Sequence, residues 1–336
     1  MNEDPTTAPL PFDLTGPWRR LYAIGDVHGD LDALVRIFRG LEVIDDAGNW
    51  SAPETLLVML GDLNDRGFDS VNVMGWIMDL QPQAEALGSR LVPLLGNHEV
   101  LGALGEYFYI HPREGQELKD FSHGQYRGVE AVFRGESPYA RWLRTRSTVV
   151  KANDHLFIHA GLGPWALEAD TQWINATMRQ WVTYCQGLGD RPQEGSLWLI
   201  APNFPGPVWT SQFRVVPEDQ VDRQALAVAV EALEQALARW GARRLVVGHR
   251  PTDQMDFHIA HPHPFYGTSV GLLATGICRF YEGRLSALEI DGDVLTPHYF
   301  PRGDRETPLT EALRHGQQLR RQAMSDPASP ADVDNP

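Results

Sequence analysis

The segment Gly61-Asp62-Leu63-Asn64-Asp65-Arg66-Gly67 decides how the rest of this sequence is interpreted. It directly follows the apolar run 56–60, which is short and bounded enough to be a buried strand. Gly61 allows the backbone to turn sharply where that strand ends. Two carboxylates and a guanidinium follow at once, and charges this close together need a solvated loop, a metal ion or an anionic ligand. For one such segment a solvated loop would be the ordinary interpretation.

The same pattern recurs at four other points in the chain. At residues 21–26, 91–97 and 245–249 an apolar run is followed by glycine and a side chain that can bind a metal, and in the run 156–161 that side chain precedes the glycine. A β-α-β rhythm would bring the C-terminal ends of these strands to one edge of a sheet, where α/β folds place their sites. A two-metal hydrolytic site needs such an inventory of oxygen and nitrogen donors. The candidate metal ligands are Asp26, His28, Asp62, Asn97, His159 and His249.

These motifs resemble those of the metallophosphoesterases. The matching segments are GDVHGD (25–30), GDLNDRG (61–67), GNHE (96–99), HAG (159–161) and GH (248–249). The DRG and GNHE forms resemble the phosphoprotein phosphatase (PPP) family, and the segments 206–209 and 275–290 resemble its bacterial-type, Shewanella-like branch. The resemblance covers residues 20–292 and implies an α/β, calcineurin-like metallophosphoesterase fold. In that fold a central β-sandwich is flanked by helices in a single domain.

The resemblance also implies how the metal ligands are shared. Asp62 would bridge two divalent cations, and Asn97, His159 and His249 would complete the second site. The donor set contains oxygen and nitrogen but no thiolate, which disfavours structural zinc. We expect Mn²⁺, with Fe or catalytic Zn²⁺ as alternatives that the sequence leaves open.

Other residues are given roles at the substrate by the same resemblance. His98 would be the general acid for the leaving alcohol, and Asp65 would fix and polarise its imidazole. The fixed positive charge and forked geometry of Arg66 suit phosphate oxygens. A second phosphate-binding arginine is expected near residues 210–212, which read Thr-Ser-Gln here, so Arg214 is the nearest candidate.

Composition limits the partners of the protein. The net charge of −15 disfavours bulk nucleic acid, whose phosphates would be repelled, but it allows a small phosphate ester beside bound cations. Cys185 and Cys278 are too few for a disulfide framework. We find no signal peptide and no apolar run long enough to span a membrane, so we expect no membrane partner and a cytoplasmic location. The oligomeric state stays open.

The order of elements predicts the organisation of the chain. We expect a disordered leader over 1–17, the metallophosphoesterase domain over 18–300, and a helix with a disordered tail over 301–336. Other expected features are helices starting near Asp30, Ser70 and Ser137, a hairpin across 153–154, a helix over 226–240, strands over 265–273, 278–281 and 284–290, a helix over 309–324, and a surface loop holding His258, His261 and His263.

The sequence therefore predicts a dinuclear metal-dependent phosphomonoester hydrolase. We expect it to act on a phosphorylated protein or a small phosphate ester, by direct attack on phosphorus of a hydroxide that the two cations activate. The alternative on the same metal site is a dinucleoside-polyphosphate hydrolase or a phosphodiesterase. A catalytically inactive scaffold is a third hypothesis, and it usually comes with lost ligands, whereas all six are present here. The choice between phospho-Ser/Thr and phospho-Tyr stays open.

Overall fold

Two β-sheets form the centre of the protein. The computed structural model describes residues 12–169, 171–202, 204–251 and 262–325. Its strands are β1 (Arg20–Ile24), β2 (Thr55–Met59), β3 (Arg90–Pro93), β4 (Ser122–His123), β5 (Tyr126–Arg127), β6 (Val149–Ala152), β7 (His155–Ile158), β8 (Arg244–Val247), β9 (Val270–Leu272), β10 (Leu285–Asp291) and β11 (Val294–Phe300). One sheet has the order β11-β10-β1-β2-β3, with β1 to β3 parallel, and the other has the order β6-β7-β8-β9, with β7 to β9 parallel. The strands β4 and β5 form a separate small hairpin.

The two sheets pack together through alternate residues of their strands. In β1, Leu21 and Ala23 belong to the apolar cluster shared with the second sheet, whereas Tyr22 and Ile24 belong to the cluster that includes the helices. Both faces of this strand are thus buried. The inner layer contains Leu21, Ala23, Leu56, Val58, Val92 and Leu288 from the first sheet and Val150, Ala152, Phe157 and Val246 from the second. The predicted central β-sandwich is confirmed.

Helices pack against this sandwich. They are α1 (Leu31–Gly40), α2 (Ser70–Ala86), α3 (Asn97–Leu104), α4 (Pro112–Leu118), α5 (Val129–Phe133), α6 (Pro138–Arg144), α7 (Thr171–Cys185), α8 (Arg223–Arg239) and α9 (Pro308–Met324). The predicted starts of α1 and α6 are capped by side chains, since Asp30 accepts from Ala33 N–H at 2.9 Å and Ser137 from Ala140 N–H at 3.2 Å. Among the described residues no helix is long and apolar enough to cross a membrane.

The C-terminal strands differ from the prediction. The segment expected as a strand over 278–281 contains a 3₁₀ turn, Arg279–Tyr281, and the strand expected over 265–273 is limited to β9. The sequence analysis also missed β11, which pairs with β10 across a turn at Gly292. Pro297 hides this strand from sequence patterns, because proline cannot donate to a ladder, but β11 is at the edge of its sheet and tolerates it.

The prediction of a surface loop is wrong for His263. This side chain is buried, its Nε2 lies 3.0 Å from Phe213 O, and its Nδ1 accepts from Phe265 N–H at 3.0 Å. Its hydrogen bonds to the backbone compensate the burial of the ring, which composition alone does not indicate. His258 and His261 lie outside the described residues.

Both ends of the described chain pack on the domain. Residues 12–17 fall within the predicted leader, yet Leu14 N–H donates to Lys151 O at 2.7 Å and Lys151 N–H donates to Phe12 O at 2.8 Å, so this segment lies along β6. At the other end, α9 packs on α1 and α2. The remaining residues of the predicted leader and tail, 1–11 and 326–336, lie outside the described part of the chain.

Close backbone approach after β1 gives a stability prediction. A Cβ at Gly25 would lie 2.2 Å from Leu273 O, so we expect Gly25→Ala to lower the free energy of unfolding by about 1–3 kcal/mol. Gly115→Ala is the control, because a Cβ at Gly115 in α4 would meet nothing within 4 Å and should raise stability by about 0.5–1 kcal/mol. Denaturant unfolding of the metal-free proteins measures both changes. Equal effects of the two substitutions would contradict the packing argument.

Candidate active site

The predicted metal ligands come together where strands of the two sheets end. Asp26, Asp62 and Asn97 follow β1, β2 and β3, and His159 and His249 follow β7 and β8, with His28 two residues beyond Asp26. The two sheets meet directly at this edge, because His249 N–H donates to Asp26 Oδ2 at 2.9 Å. All of these side chains are buried except the half-buried His249. The structure thus joins segments that are far apart in the sequence.

Asp62 lies at the centre of this group. Its Oδ2 is 3.6 Å from His28 Nε2, 3.4 Å from His159 Nε2 and 3.9 Å from His98 Nε2. Two sets of ligand atoms can be drawn in which all atoms lie within 4.8 Å of one another, and both contain Asp62. One set adds His28 and His98, and the other adds His159 and His249. A single carboxylate is therefore shared between two candidate cation positions.

The donors around His159 fit a cation better than they fit one another. His159 Nδ1–H donates to Leu60 O at 2.8 Å, which leaves a lone pair on Nε2. That nitrogen faces Asn97 Oδ1 at 2.9 Å and His249 Nδ1 at 3.2 Å, and the other ring nitrogen of His249 is buried without a hydrogen bond. A bound cation would satisfy electron pairs that otherwise face each other in buried space, and nitrogen with carboxylate oxygen suits Mn²⁺, Fe or Zn²⁺.

Burial disfavours the charged forms of these carboxyl and imidazole groups. It raises the pKa of Asp26 to about 7 and the pKa of Asp62 well above its usual range. It lowers the pKa values of His28 and His249, so both imidazoles are neutral and can act as ligands. The protein thus supplies neutral imidazoles and carboxylates that need a nearby positive charge to remain ionised.

Backbone strain and close packing accompany the ligands. His28, Asp62 and His249 have φ values of 47°, 51° and 70°, a region in which a non-glycine residue costs about 1–3 kcal/mol. A Cβ at Gly96 would lie 2.2 Å from Asp62 Oδ1, so only glycine leaves room for the carboxylate there. The motif glycines and the strained residues therefore fix the direction of the ligand side chains.

Glu99 is a supporting residue whose role the sequence analysis missed. Its carboxylate accepts from Gly96 N–H at 2.7 Å, Asp62 N–H at 2.9 Å and Leu63 N–H at 2.7 Å. These bonds connect the turn after β2 to the turn after β3, and Glu99 is only 1% exposed. The available signal was an acidic residue in the first turn of a helix, directly after His98.

His98 and Asp65 form a close pair beside the metal ligands. His98 Nδ1 lies 2.5 Å from Asp65 Oδ2, and His98 N–H donates to Asp62 Oδ1 at 3.0 Å. Burial raises the pKa of Asp65 to about 7 and lowers the pKa of His98 to about 3, since both charged forms lose water. The Nδ1 to Oδ2 distance is short enough for one proton to be shared between the two groups, and His98 Nε2 lies 3.9 Å from Asp62 Oδ2.

Arg66 is held between aromatic rings at the mouth of the site. Its guanidinium carbon lies 4.0 Å from the ring centre of Tyr109 and 5.1 Å from that of Phe280. The backbone N–H of Arg66 donates to the backbone carbonyl oxygen of Tyr109 at 3.0 Å. A cavity of about 290 Å³ opens beside Arg66, and its wall includes Phe68, His111 and Phe280. Neither aromatic contact was predicted from the sequence.

The structure puts the candidate second arginine on an exposed turn. Arg214 N–H donates to Ser211 O at 3.0 Å, and its side chain is exposed. Arg250, which the sequence analysis did not consider, directly follows His249 and donates from Nε to Ser211 Oγ at 3.0 Å. Arg250, and not Arg214, is therefore the arginine that is adjacent in sequence to a candidate metal ligand.

A family model for calcineurin-like phosphoesterases matches residues 19–253, which include every candidate metal ligand. The chain belongs to this family. The predictions of a metallophosphoesterase fold and of a phosphatase-type hydrolase are confirmed.

Two relatives and one solved structure are similar to this chain. A Shewanella-like protein phosphatase 1 from Plasmodium berghei is 28% identical, over 75% of this chain and 67% of that protein. A symmetrical bis(5'-nucleosyl)-tetraphosphatase from Janthinobacterium is 28% identical, over 53% of this chain and 58% of that protein. The crystal structure of a cold-active protein-tyrosine phosphatase from a psychrophilic Shewanella has a TM-score of 0.70 at 23% identity, covering 89% of this chain and 85% of that one. The resemblance to the Shewanella-like branch is thus confirmed.

The three hydrogen bonds to Glu99 generate a prediction. We expect Glu99→Gln to lower the free energy of unfolding by about 1–3 kcal/mol, because a buried amide replaces a charged acceptor of three N–H groups. Metal binding should weaken with it, since the backbone of Asp62 loses its support. Glu117→Gln, at a more exposed position on α4, is the control and should change stability by less than about 0.5 kcal/mol. Denaturant unfolding with and without Mn²⁺ distinguishes the two, and unchanged stability of the Glu99 variant would refute the role.

Proposed function

We propose that this protein is a dinuclear metal-dependent phosphomonoester hydrolase that acts on a phosphorylated protein. The observation that carries the proposal is the convergence of imidazole nitrogens on the shared Asp62 Oδ2, with the His98–Asp65 pair directly beside it. The similarity to Shewanella-like protein phosphatases supports a phosphoprotein as substrate. Hydrolysis would proceed by direct attack on phosphorus, without a phosphorylated side chain.

The proposed metal ligands divide into two sets that share Asp62. Asp26 and His28 would complete one site, where His98 is proposed as the acid and not as a ligand, and Asn97, His159 and His249 would complete the other. Two divalent cations, which we propose to be Mn²⁺ with Fe and Zn²⁺ as alternatives, would supply Lewis-acid stabilisation of the phosphate oxygens and lower the pKa of the attacking water. Burial supports cation binding here, since it lowers the pKa values of His28 and His249 and raises the pKa of Asp26.

His98 would protonate the leaving alcohol. The carboxylate of Asp65, 2.5 Å from Nδ1, would fix the ring and stabilise its protonated form, so that Nε2–H faces the site. Arg66 would bind phosphate oxygens with a guanidinium whose position is limited by Tyr109 and Phe280. Arg214 stays the sequence candidate for a second phosphate contact.

A second candidate function is the hydrolysis of dinucleoside polyphosphates. The similarity to the symmetrical bis(5'-nucleosyl)-tetraphosphatase favours it. The test compares kcat/KM of the Mn²⁺-loaded protein on phosphoserine, phosphothreonine and phosphotyrosine peptides with kcat/KM on diadenosine tetraphosphate. Higher efficiency on any phosphopeptide supports the first proposal, and a clear preference for the dinucleotide would replace it by the second.

Metal stoichiometry is the first prediction of this function. The protein should bind two divalent ions per chain, and Asp62→Asn should weaken both sites because its carboxylate is shared. Asp120→Asn, on the exposed surface, should retain both ions. Elemental analysis after loading with Mn²⁺ measures the content. A content of one ion or none in the unaltered protein would contradict the dinuclear proposal.

The role of His98 is tested by the leaving group. His98→Asn should slow hydrolysis of a phosphoserine peptide far more than hydrolysis of p-nitrophenyl phosphate, because an alkoxide needs a proton and a nitrophenolate hardly does. The difference should not exceed about 10²- to 10⁴-fold, the range of general acid catalysis. Asp65→Asn should show a milder form of the same pattern.

Asp26→Asn is the matched control, and it should slow both substrates together through loss of metal. The measurement is kcat for each variant at saturating Mn²⁺, with metal content determined in parallel. If His98→Asn slows both substrates equally while it keeps its metal, the acid assignment is wrong.

A further inference from the structure

The loop that carries Asp65 and Arg66 needs external support. Both residues have positive φ values, 70° and 68°, a conformation that non-glycine residues adopt only when their surroundings enforce it. Hydrogen bonds fix the middle of the loop, since Arg66 N–H donates to Tyr109 O at 3.0 Å and Gly67 N–H to His28 O at 2.9 Å. The far end of the loop is Asp69, which precedes α2.

A side chain from the C-terminal helix holds that far end. Arg314 Nε donates to Asp69 Oδ1 at 2.8 Å, and its Nη2 donates to Asp69 Oδ2 at 2.7 Å, so the contact is bidentate. The side chains of Asp69 and Arg314 are 3% and 17% exposed, which limits screening by water. The Arg314 guanidinium carbon also lies 5.4 Å from the ring centre of Phe68, inside the same loop.

The carboxylate of Asp69 serves this contact instead of capping its own helix. The N-cap residue of α2 is Asp69, but its side chain makes no hydrogen bond to the first turn of the backbone. Glu114 of α4 supplies that bond by accepting from Val71 N–H at 2.8 Å. The side-chain oxygens of Asp69 therefore accept hydrogen bonds mainly from Arg314, and Oδ1 also accepts from Asn72 Nδ2 at 2.6 Å.

Other contacts of α9 fix Arg314 independently of the loop. Thr307 N–H donates to Asp32 Oδ1 at 2.9 Å just before the helix, and Gln317 Nε2 donates to Asp79 Oδ2 at 2.7 Å further along it. The helix α9 lies beyond residues 19–253, which match the family model. An element outside the matched region thus reaches the loop that carries Arg66.

We propose that Arg314 is a positioning residue for Arg66: its bidentate contact with Asp69 holds the loop in the strained form that directs the Arg66 guanidinium to the phosphate. The inference rests on the proposed phosphate-binding role of Arg66. Without this contact the loop would relax toward ordinary backbone angles, and phosphate would bind more weakly even with both cations present. Arg314 itself would not touch the substrate.

The test compares two arginine substitutions on α9. Arg314→Gln should raise the Kd of the Mn²⁺-loaded protein for inorganic phosphate by about tenfold, and it should speed amide hydrogen exchange in residues 65–69. Arg314→Lys, which keeps the charge but not the fork, should restore part of the phosphate affinity. Arg320→Gln is the control, because Arg320 pairs with Asp79 of α2 and donates to Gly75 O of the same helix. It should lower Tm by less and leave phosphate binding and loop exchange unchanged.

Two results would overturn the inference. One is an unchanged phosphate Kd with unchanged exchange of residues 65–69 in Arg314→Gln. The other is an equal rise of the phosphate Kd in Arg320→Gln, which would mean that Arg314 only helps to hold α9 against the domain. Absence of phosphatase activity in the unaltered protein would instead refute the proposed function, and loop exchange in the two variants would still decide whether Arg314 positions the loop.

Discussion

The crowding of polar atoms around Asp62 Oδ2 is the constraint on which the rest of the structure depends. Three imidazole nitrogens lie within 3.9 Å of this oxygen, in a region from which water is largely excluded. Such a group costs free energy until a cation or a proton compensates its electron pairs. The protein must therefore hold it together by other means while no cation is bound. Glu99 holds Asp62 in place, because it accepts hydrogen bonds from the backbone N–H groups of Asp62, after β2, and of Gly96, after β3.

The two sheets are both necessary for the site because neither contains all of the candidate ligands. The larger sheet ends in Asp26, Asp62 and Asn97, and the smaller one ends in His159 and His249. The hydrogen bond from His249 N–H to Asp26 shows how closely the sheet edges meet. The apolar layer between the sheets thus has a functional consequence, since it sets the distance between the two halves of the proposed dinuclear centre.

Support for the substrate side of the site comes from distant parts of the chain. Tyr109 and Phe280 confine the Arg66 guanidinium, and both lie far beyond Arg66 in the sequence. Glu114 caps α2, and Arg314 holds the residue that precedes it. The candidate metal ligands are fixed by strand ends and strained turns, whereas the proposed phosphate-binding loop is supported by side chains from α4 and α9. Mutations in these helices should therefore affect substrate binding more than metal content.

The sequence by itself determined the class of fold and supplied the candidate metal ligands. Runs such as 56–60 followed by glycine and aspartate are local, and their repetition predicted one edge lined with donors. Tertiary structure decided what local patterns cannot carry. Pro297 hid an edge strand whose pairing depends on β10, and the burial of His263 depends on hydrogen bonds to backbone groups such as Phe213 O. The roles of Glu99 and Arg314 arise because folding brings their partners within hydrogen-bonding distance, and no spacing in the sequence encodes that distance.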